Sequence, residues 1–598
     1  MCIGCSPLGQ ALARAGVSRR SFLSGSGRLA LGAAATGFGA RFNCAAAQGP
    51  SDPSGAADAI FSGGTILTMD DARPTAEAVA VRGGRILAVG TRDEVNARRG
   101  AGTRSIDLAG RTMLPGFFDA HGHAVFVGLQ AVSANLLPAP DGQGNDIAAL
   151  QRLLREWMAR SQPAIRRYGL IIGFGYDDSQ LREQRHPTRD DLDQVSTDTP
   201  ILIIHQSGHL GVVNSKALEL AGITAATADP VGGVYRRRPG SREPDGVIEE
   251  IAFFSLLSKL GERFDLDAYL AMIRAGTEFY ARFGYTTCQE ARAFGDTVGR
   301  IAEAAERNLL PIDLLVYADI VAATDQIRAP ALSREYRNRF RIGGAKLVID
   351  GTPQGKTAWL TRPYYVPPPG QRGDYVGFPA IPSENAFAAV DRAFAEGWQI
   401  ICHCNGDAAS DVWIAAIREA TRKHGRADRR PVLIHGQVLR EDQMDALRAL
   451  DILPSLFPMH TFYWGDWHRD SVLGPERAEN ISPTGWAMQR GMRFTSHHDA
   501  PVANPDSMRV LSATVTRRTR SGDILGPQHC VPVPVALKAM TIWAAHQHFE
   551  EDRKGSIEVG KLADFAVLSG NPLDVEPAAL AGLKVVQTFK EGVSIFSA

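Results

Sequence analysis

Short apolar runs recur along this chain, and several of them stop on polar side chains suited to chemistry. Met113-Leu114-Pro115-Gly116-Phe117-Phe118 leads straight into Asp119, His121 and His123. Later runs carry His403, His435 and Asp499 at or near their ends. Between them lie stretches of helical period, such as Phe387–Glu396 and Glu441–Leu450. Strands that alternate with helices predict a parallel sheet with crossover helices. The strands read as Met113–Asp119, Thr286–Glu290, Asp313–Asp319, Ala345–Asp350, Gln399–Cys404, Val432–Gly436, Ile452–Pro458 and Arg493–Asp499. Eight such units predict an α/β fold of the (β/α)8 TIM-barrel type, whose chemistry sits at the C-terminal ends of the strands. The interval from Val125 to Tyr285 is too long for one connection and holds further strands at Leu170–Gly175 and Ile201–His205. It predicts an inserted subdomain, about residues 125–285, over the barrel mouth.

The two ends of the chain follow a different pattern. From Ala59 to Arg111, short strands are broken by glycine pairs at 63–64 and 83–84, which supply turns. Gly555–Leu568 and Val585–Gly592 behave alike. A small β-sandwich built from both termini, residues 59–111 and 546–598, is expected to flank a barrel spanning 112–545. Before it, Ser18-Arg19-Arg20-Ser21-Phe22-Leu23 precedes a weakly apolar Gly/Ala-rich run and then Ala45-Ala46-Ala47. A charged pair, a modest apolar segment and small residues describe a twin-arginine signal peptide over residues 1–47, cleaved after Ala47. A tail that happens to contain Arg-Arg is the alternative. The apolar run is too short and glycine-rich to span a bilayer, so no stable membrane insertion is expected. The signal predicts a periplasmic or secreted protein, with the twin-arginine export machinery as a partner.

Composition narrows the classes. The 598 residues carry 65 Lys+Arg and 65 Asp+Glu, which leaves no electrostatic case for nucleic acid. Apolar content of 44% is ordinary for a globular protein. Removal of the signal takes Cys2, Cys5 and Cys44, and Cys288, Cys402, Cys404 and Cys530 do not make a disulfide framework. Strand alternation turns Cys402 and Cys404 away from His403, into packing. Oligomeric state stays open, and a homodimer is compatible with it.

Two histidines one residue apart on an extended strand project to the same side, where one divalent ion can take both. His-x-His alone is a weak signal; the ordered set that follows it strengthens the case. Neutral imidazoles and a carboxylate suit a borderline ion such as zinc, with a coordination position left for water. Such an ion lowers the pKa of water from ~16 towards ~7. Asp499 could then take the proton and return it to a leaving nitrogen. The competing role for Asp499 is a helix N-cap before Ala500-Pro501.

The ordered set of His121 and His123 on strand one, His403 on strand five, His435 on strand six and Asp499 on strand eight resembles the amidohydrolase superfamily. Leu114–His123 is similar to its metal-entry motif, and Gly555–Leu568 with Gly570-Asn571-Pro572 is similar to its C-terminal return. Asp350–Ala358, His403–Ala409 and Gly208–Leu218 resemble amidohydrolase family 3, the branch that includes the YtcJ-like proteins. The resemblance spans about residues 59–598. It implies one or two divalent metal ions, zinc being expected, held by His121, His123, His403, His435 and Asp499. It also implies a carboxylated Lys346 as a bridge on strand four, with a salt bridge to Asp350 as the alternative. His209 would lie near the active site and polarise the substrate carbonyl, or would simply be a capping or core histidine. His460, placed at the end of strand seven, and His497 could line the pocket.

The expected activity is metal-dependent hydrolysis of a carbon–nitrogen bond other than a peptide bond, in a small-molecule amide, by activated water. Two rivals remain. The same ligands serve deaminases of heterocycles, but no clear His-x-x-Glu helix follows strand five. A metal-bound periplasmic binding protein without turnover is the other, and the intact ligand set with Asp499 argues against it.

Overall fold

The apolar runs that end on candidate ligands line up side by side in one curled, barrel-like parallel sheet. The computed structural model describes residues 55–598 except 179, 209, 231–232, 262–263, 328–331 and 369. The expected signal peptide, residues 1–47, and His209 lie outside the described residues. The parallel strands are β1 (Phe117–Phe118), β2 (Tyr285–Ala293), β3 (Asp313–Asp319), β4 (Phe340–Val348), β5 (Gln399–Cys404), β6 (Val432–His435), β7 (Leu453–Leu456) and β8 (Thr495–Ser496). They neighbour one another in chain order from β1 to β8. Just past the strands, Asp499 N donates to His121 O at 3.2 Å and His123 N donates to Ala500 O at 2.9 Å, which brings the two edges of the sheet together.

Strand alternation explains both faces. Ala291, Leu315, Tyr317, Ile401, Val432, Ile434 and Leu453 form a cluster of their own from one face of the sheet. The opposite face packs on the helices Ser383–Ala395, Asp407–His424 and Glu441–Ala449, which bury Val390, Trp413, Ile417 and Leu447. Cys402 and Cys404 belong to this outer core, with their sulfurs 3.5 Å apart.

The run expected as a single first strand divides in two. Thr112–Pro115 pairs antiparallel with Phe565–Leu568 and parallel with Ala59–Leu67; only Phe117–Phe118 joins the parallel sheet. Gly116 is the crossing point, and a Cβ there would lie 2.4 Å from the Thr286 side chain, so the chain can pass only without one. The sheet containing Thr112–Pro115 has eight strands drawn from both ends of the chain. Phe61 packs edge-on against Phe565 and Phe589, at 5.1 and 5.0 Å between ring centres.

A third sheet of six strands lies between residues 134 and 249. It includes Ile171–Tyr176 and Ile201–His205, and buries Leu154, Trp157, Ile203, Val212 and Val247 in its own cluster. The Tyr463 hydroxyl donates to Asp141 Oδ2 at 2.5 Å and ties a loop within this region to the segment after β7. Among the described residues, no helix is long and apolar enough to cross a membrane.

Candidate metal centre

The C-terminal strand ends bring His121, His123, Lys346, His403, His435 and Asp499 into one buried cluster. His403 follows Ile401 by two residues and therefore shares its face of β5. His435 directly follows Ile434, so regular alternation would turn it outward. Its φ of 77° breaks the alternation, and the ring turns to meet His403. Asp499 also sits in the left-handed region, at φ 53°. Backbone strain of this kind persists where the surroundings over-determine it, and it gathers at functional sites.

The distances are short. His435 Nε2 lies 2.9 Å from His403 Nδ1, and Asp499 Oδ1 lies 3.2 Å from His123 Nε2 and 3.6 Å from His121 Nε2. Donor atoms of His121, His435 and Asp499 all fall within 4.8 Å of one another. Lys346 is fully buried, with Nζ 3.2 Å from His121 Nε2. No carboxylate lies within ion-pair distance of it among the described residues. Asp350, the alternative partner, instead accepts from Trp359 N, Asn405 N and Gly406 N at 3.0, 2.9 and 2.7 Å. Burial pushes His435 well below the usual imidazole range, and the neighbouring His403 and His497 push it further. A neutral imidazole is the form that ligates metal.

A ring of partners, of which only Asp119 stood out in the sequence, orients these side chains. Gln289 Oε1 accepts from His121 Nδ1 at 3.0 Å, and Glu290 Oε1 lies 3.6 Å from His123 Nδ1. Asp119 accepts from His121 N and Gln289 N at 3.0 and 3.1 Å, and burial pushes its carboxyl up to about 7. Gln289 and Glu290 close the strand expected over Thr286–Glu290, and Asp119 closes the one expected over Met113–Asp119; those places were the available signal. His497 Nε2 meets His435 Nδ1 at 3.1 Å, whereas the neighbouring His498 turns the other way, with Nε2 3.4 Å from Asp119.

A small, partly open pocket lies on the cluster, lined by His403, Asn405, His435, His460 and Asp499 among others. His460 is not on strand seven. β7 ends at Leu456, and Pro458 starts the helix Met459–Trp467 that carries His460. The loop after β4 folds beside this helix. Lys356 Nζ donates to Val366 O and Ser471 Oγ, both at 2.8 Å, which gives that lysine a structural task.

The family model described as "Amidohydrolase family" matches residues 104–596. The chain belongs to the amidohydrolase family. This amidohydrolase is 29% identical over 554 residues to an N-substituted formamide deformylase of Arthrobacter pascens, covering 90% of this chain and 98% of that one. It is 28% identical over 550 residues to the putative amidohydrolase YtcJ of Bacillus subtilis (strain 168), covering 90% and 99%. Among solved structures, an uncharacterized metal-dependent hydrolase from Pyrococcus horikoshii OT3 superposes with a TM-score of 0.69 at 22% identity, covering 87% of this chain and 99% of that one. That likeness concerns the fold.

Proposed function

We propose that this amidohydrolase cleaves a carbon–nitrogen bond other than a peptide bond, of amide type, in a small molecule. One observation carries the reading: four imidazoles and a carboxylate from strand ends distant in sequence meet in one buried cluster beside a cavity. The residues fit a metal. Burial holds the His435 imidazole neutral, and the Lys346 amine is buried beside His121 without a carboxylate partner among the described residues.

His121, His123, His403, His435 and Asp499 would hold the ion, and a carboxylated Lys346 would bridge to a second. Zinc suits this donor set, and when bound it supplies Lewis acidity and lowers the pKa of water. Asp499 takes a proton from the attacking water and hands it to the departing nitrogen. Burial of the whole cluster keeps bulk water away from that exchange. We read the curled sheet as a closed (β/α)8 barrel, the six-stranded sheet as a subdomain inserted over its mouth, and the eight-stranded terminal sheet as a sandwich. We further read Arg19-Arg20 as the mark of twin-arginine export to the periplasm or beyond.

Elemental analysis of the purified mature protein, followed by an amide panel with and without chelator, tests the activity. N-substituted formamides, named for the Arthrobacter relative, come first in that panel. The expected result is bound zinc and hydrolysis that stops with chelator and returns with metal. A metal-free active protein, or no cleavage of any amide, overturns the reading. Changing Arg19 and Arg20 together to Lys should hold the full chain in the cytoplasm; unchanged export would remove the twin-arginine assignment.

A further inference from the structure

We infer that His460 is the hydrogen-bond donor that polarises the substrate carbonyl, and that His468 fixes the tautomer in which it can do so. The inference rests on the amide-hydrolase reading and supplies the group that reading leaves unplaced. His460 is 3% exposed and lines the same cavity as His403, His435 and Asp499. Its ring is wedged edge-on against Phe457 at 4.7 Å and lies beside His468, nearly parallel to it with 5.3 Å between ring centres. Its Nδ1 lies 3.0 Å from His468 Nε2, which leaves Nε2 for the cavity.

The tautomer follows from His468. That ring is fully buried, and its Nδ1 has no hydrogen-bond partner among the described residues. Along the backbone, buried N–H groups left without an acceptor are rarer than acceptors left without a donor, and we extend that preference to this ring. Nδ1 of His468 is therefore the bare nitrogen, and its Nε2–H donates to His460 Nδ1. A neutral imidazole that accepts at Nδ1 carries its proton on Nε2. Burial keeps both rings neutral, pushing His468 down to about 3 and His460 well below its usual value. His468 also opens the π-helical turn His468–Val472, a kind of widened turn that is frequent at functional sites. Asn405 is the neighbouring amide on the cavity wall, and its Nδ2 is already held by Gly351 O at 2.8 Å and His403 Nε2 at 3.0 Å.

In the reaction, the water oxygen bonds to the carbonyl carbon and the C=O π pair moves onto oxygen. The Nε2–H of His460 donates to that oxygen without giving up its proton. The π bond then reforms as the C–N bond breaks, and the nitrogen leaves with the proton carried by Asp499. Amide and water become carboxylic acid and amine.

The test uses the zinc-loaded enzyme and an N-substituted formamide that it cleaves. His460→Ala should lower kcat by about 10²–10³, with KM within a few-fold and metal content unchanged. His460→Gln keeps an N–H and should recover a measurable part of the loss. In spectra of ¹⁵N-histidine-labelled protein, His460 should be the Nε2–H tautomer, and His468→Leu should mix the two tautomers while metal content stays the same. An active wild type whose kcat is indifferent to His460→Ala, or a His460 protonated at Nδ1, overturns the inference alone. A wild type that cleaves no amide removes the underlying reading, and the inference with it.

Discussion

Gln289 holds His121 from behind: its Oε1 lies 3.0 Å from Nδ1. The amide's orientation is set by Ala120 O, which accepts from Gln289 Nε2 at 3.5 Å. Nδ1 of His121 is therefore the protonated nitrogen, and the Nε2 lone pair faces Asp499 and Lys346. Partners that orient a ligating histidine in this way are worth about 10–100-fold in metal affinity. We expect Gln289→Leu to weaken zinc binding by about that factor in competition with a chromophoric chelator, with the circular dichroism spectrum unchanged. Gln289→Glu keeps the acceptor and should retain most of the affinity. Equal affinities for all three proteins would show that His121 needs no such support.

Lys346 gives a second expectation. Lys346 is fully buried, with an imidazole nitrogen at 3.2 Å and no carboxylate within ion-pair reach among the described residues. Carboxylation would convert it into an anionic oxygen donor between two ions. Labelled bicarbonate supplied during zinc loading should leave a carbamate carbon signal that is missing from Lys346→Gln. That variant should bind about one ion where the wild type binds two, since it loses the bridge. A wild type with one ion and no carbamate signal would leave a mononuclear site.

The ligand-bearing strands were legible because each couples an apolar run to a polar terminus. Gln399–Cys404 was read with the bounds it has in the structure. Where the run lacked that contrast, the reading slipped. The strand expected to stop at Glu290 continues to Ala293 because Arg292 is satisfied by Asp319 at 2.6 Å, whereas in a sequence that arginine looks like the start of a loop. Gly233–Arg237 and Pro244–Glu249 escaped notice for a related reason. Their charged positions pair across strands, as Arg236 does with Glu249 at 2.5 Å, so charge there marks a strand surface. The division of the first strand at Gly116 depends on close approach to Thr286, a contact 170 residues away that no local pattern encodes.

The junction between the parallel sheet and the terminal segment should make the protein acid-sensitive. Glu550, 1% exposed, binds Arg341 and Lys554, each at 2.6 Å; Lys554 and Lys590 reach Asp313 at 2.7 and 2.6 Å. Burial alone would raise the Glu550 carboxyl, but Lys554 and Arg341 together outweigh it and hold it at about 2, below its ordinary 4.5. A depressed folded-state value means stability that is present above the ordinary value and lost as pH falls through about 2. Removing one partner of a buried pair costs about 3–5 kcal/mol. Glu550→Gln should thus be destabilised by about that amount near neutrality, and the gap from wild type should narrow as urea titrations move down from pH 4.5. A gap independent of pH would mean that Glu550 contributes packing and not charge.

His205 should act with the opposite sign at the other end of the pH scale. It closes the strand Ile201–His205, and its Nε2 lies 3.1 Å from Asp178 and 3.7 Å from Asp177, just past Ile171–Tyr176. Burial is the largest single influence and opposes the charge. The combined pull of Asp177 and Asp178 overcomes it and pushes the imidazole up from 6.5 to about 9. A raised folded-state value gives stability that is complete below 6.5 and drains away as pH rises through about 9. The nearby His186 is pushed down to about 4 by burial, so it stays neutral in the folded protein across that window, and its contribution is common to wild type and His205→Gln. Thermal midpoints of wild type should therefore fall between pH 6.5 and 9 more steeply than those of His205→Gln. Hydrogen exchange over residues 171–176 and 201–205 should loosen over the same interval. Parallel pH profiles for the two proteins would mean that the imidazole is neutral in the folded state, and that the two aspartates hold it only through an ordinary hydrogen bond.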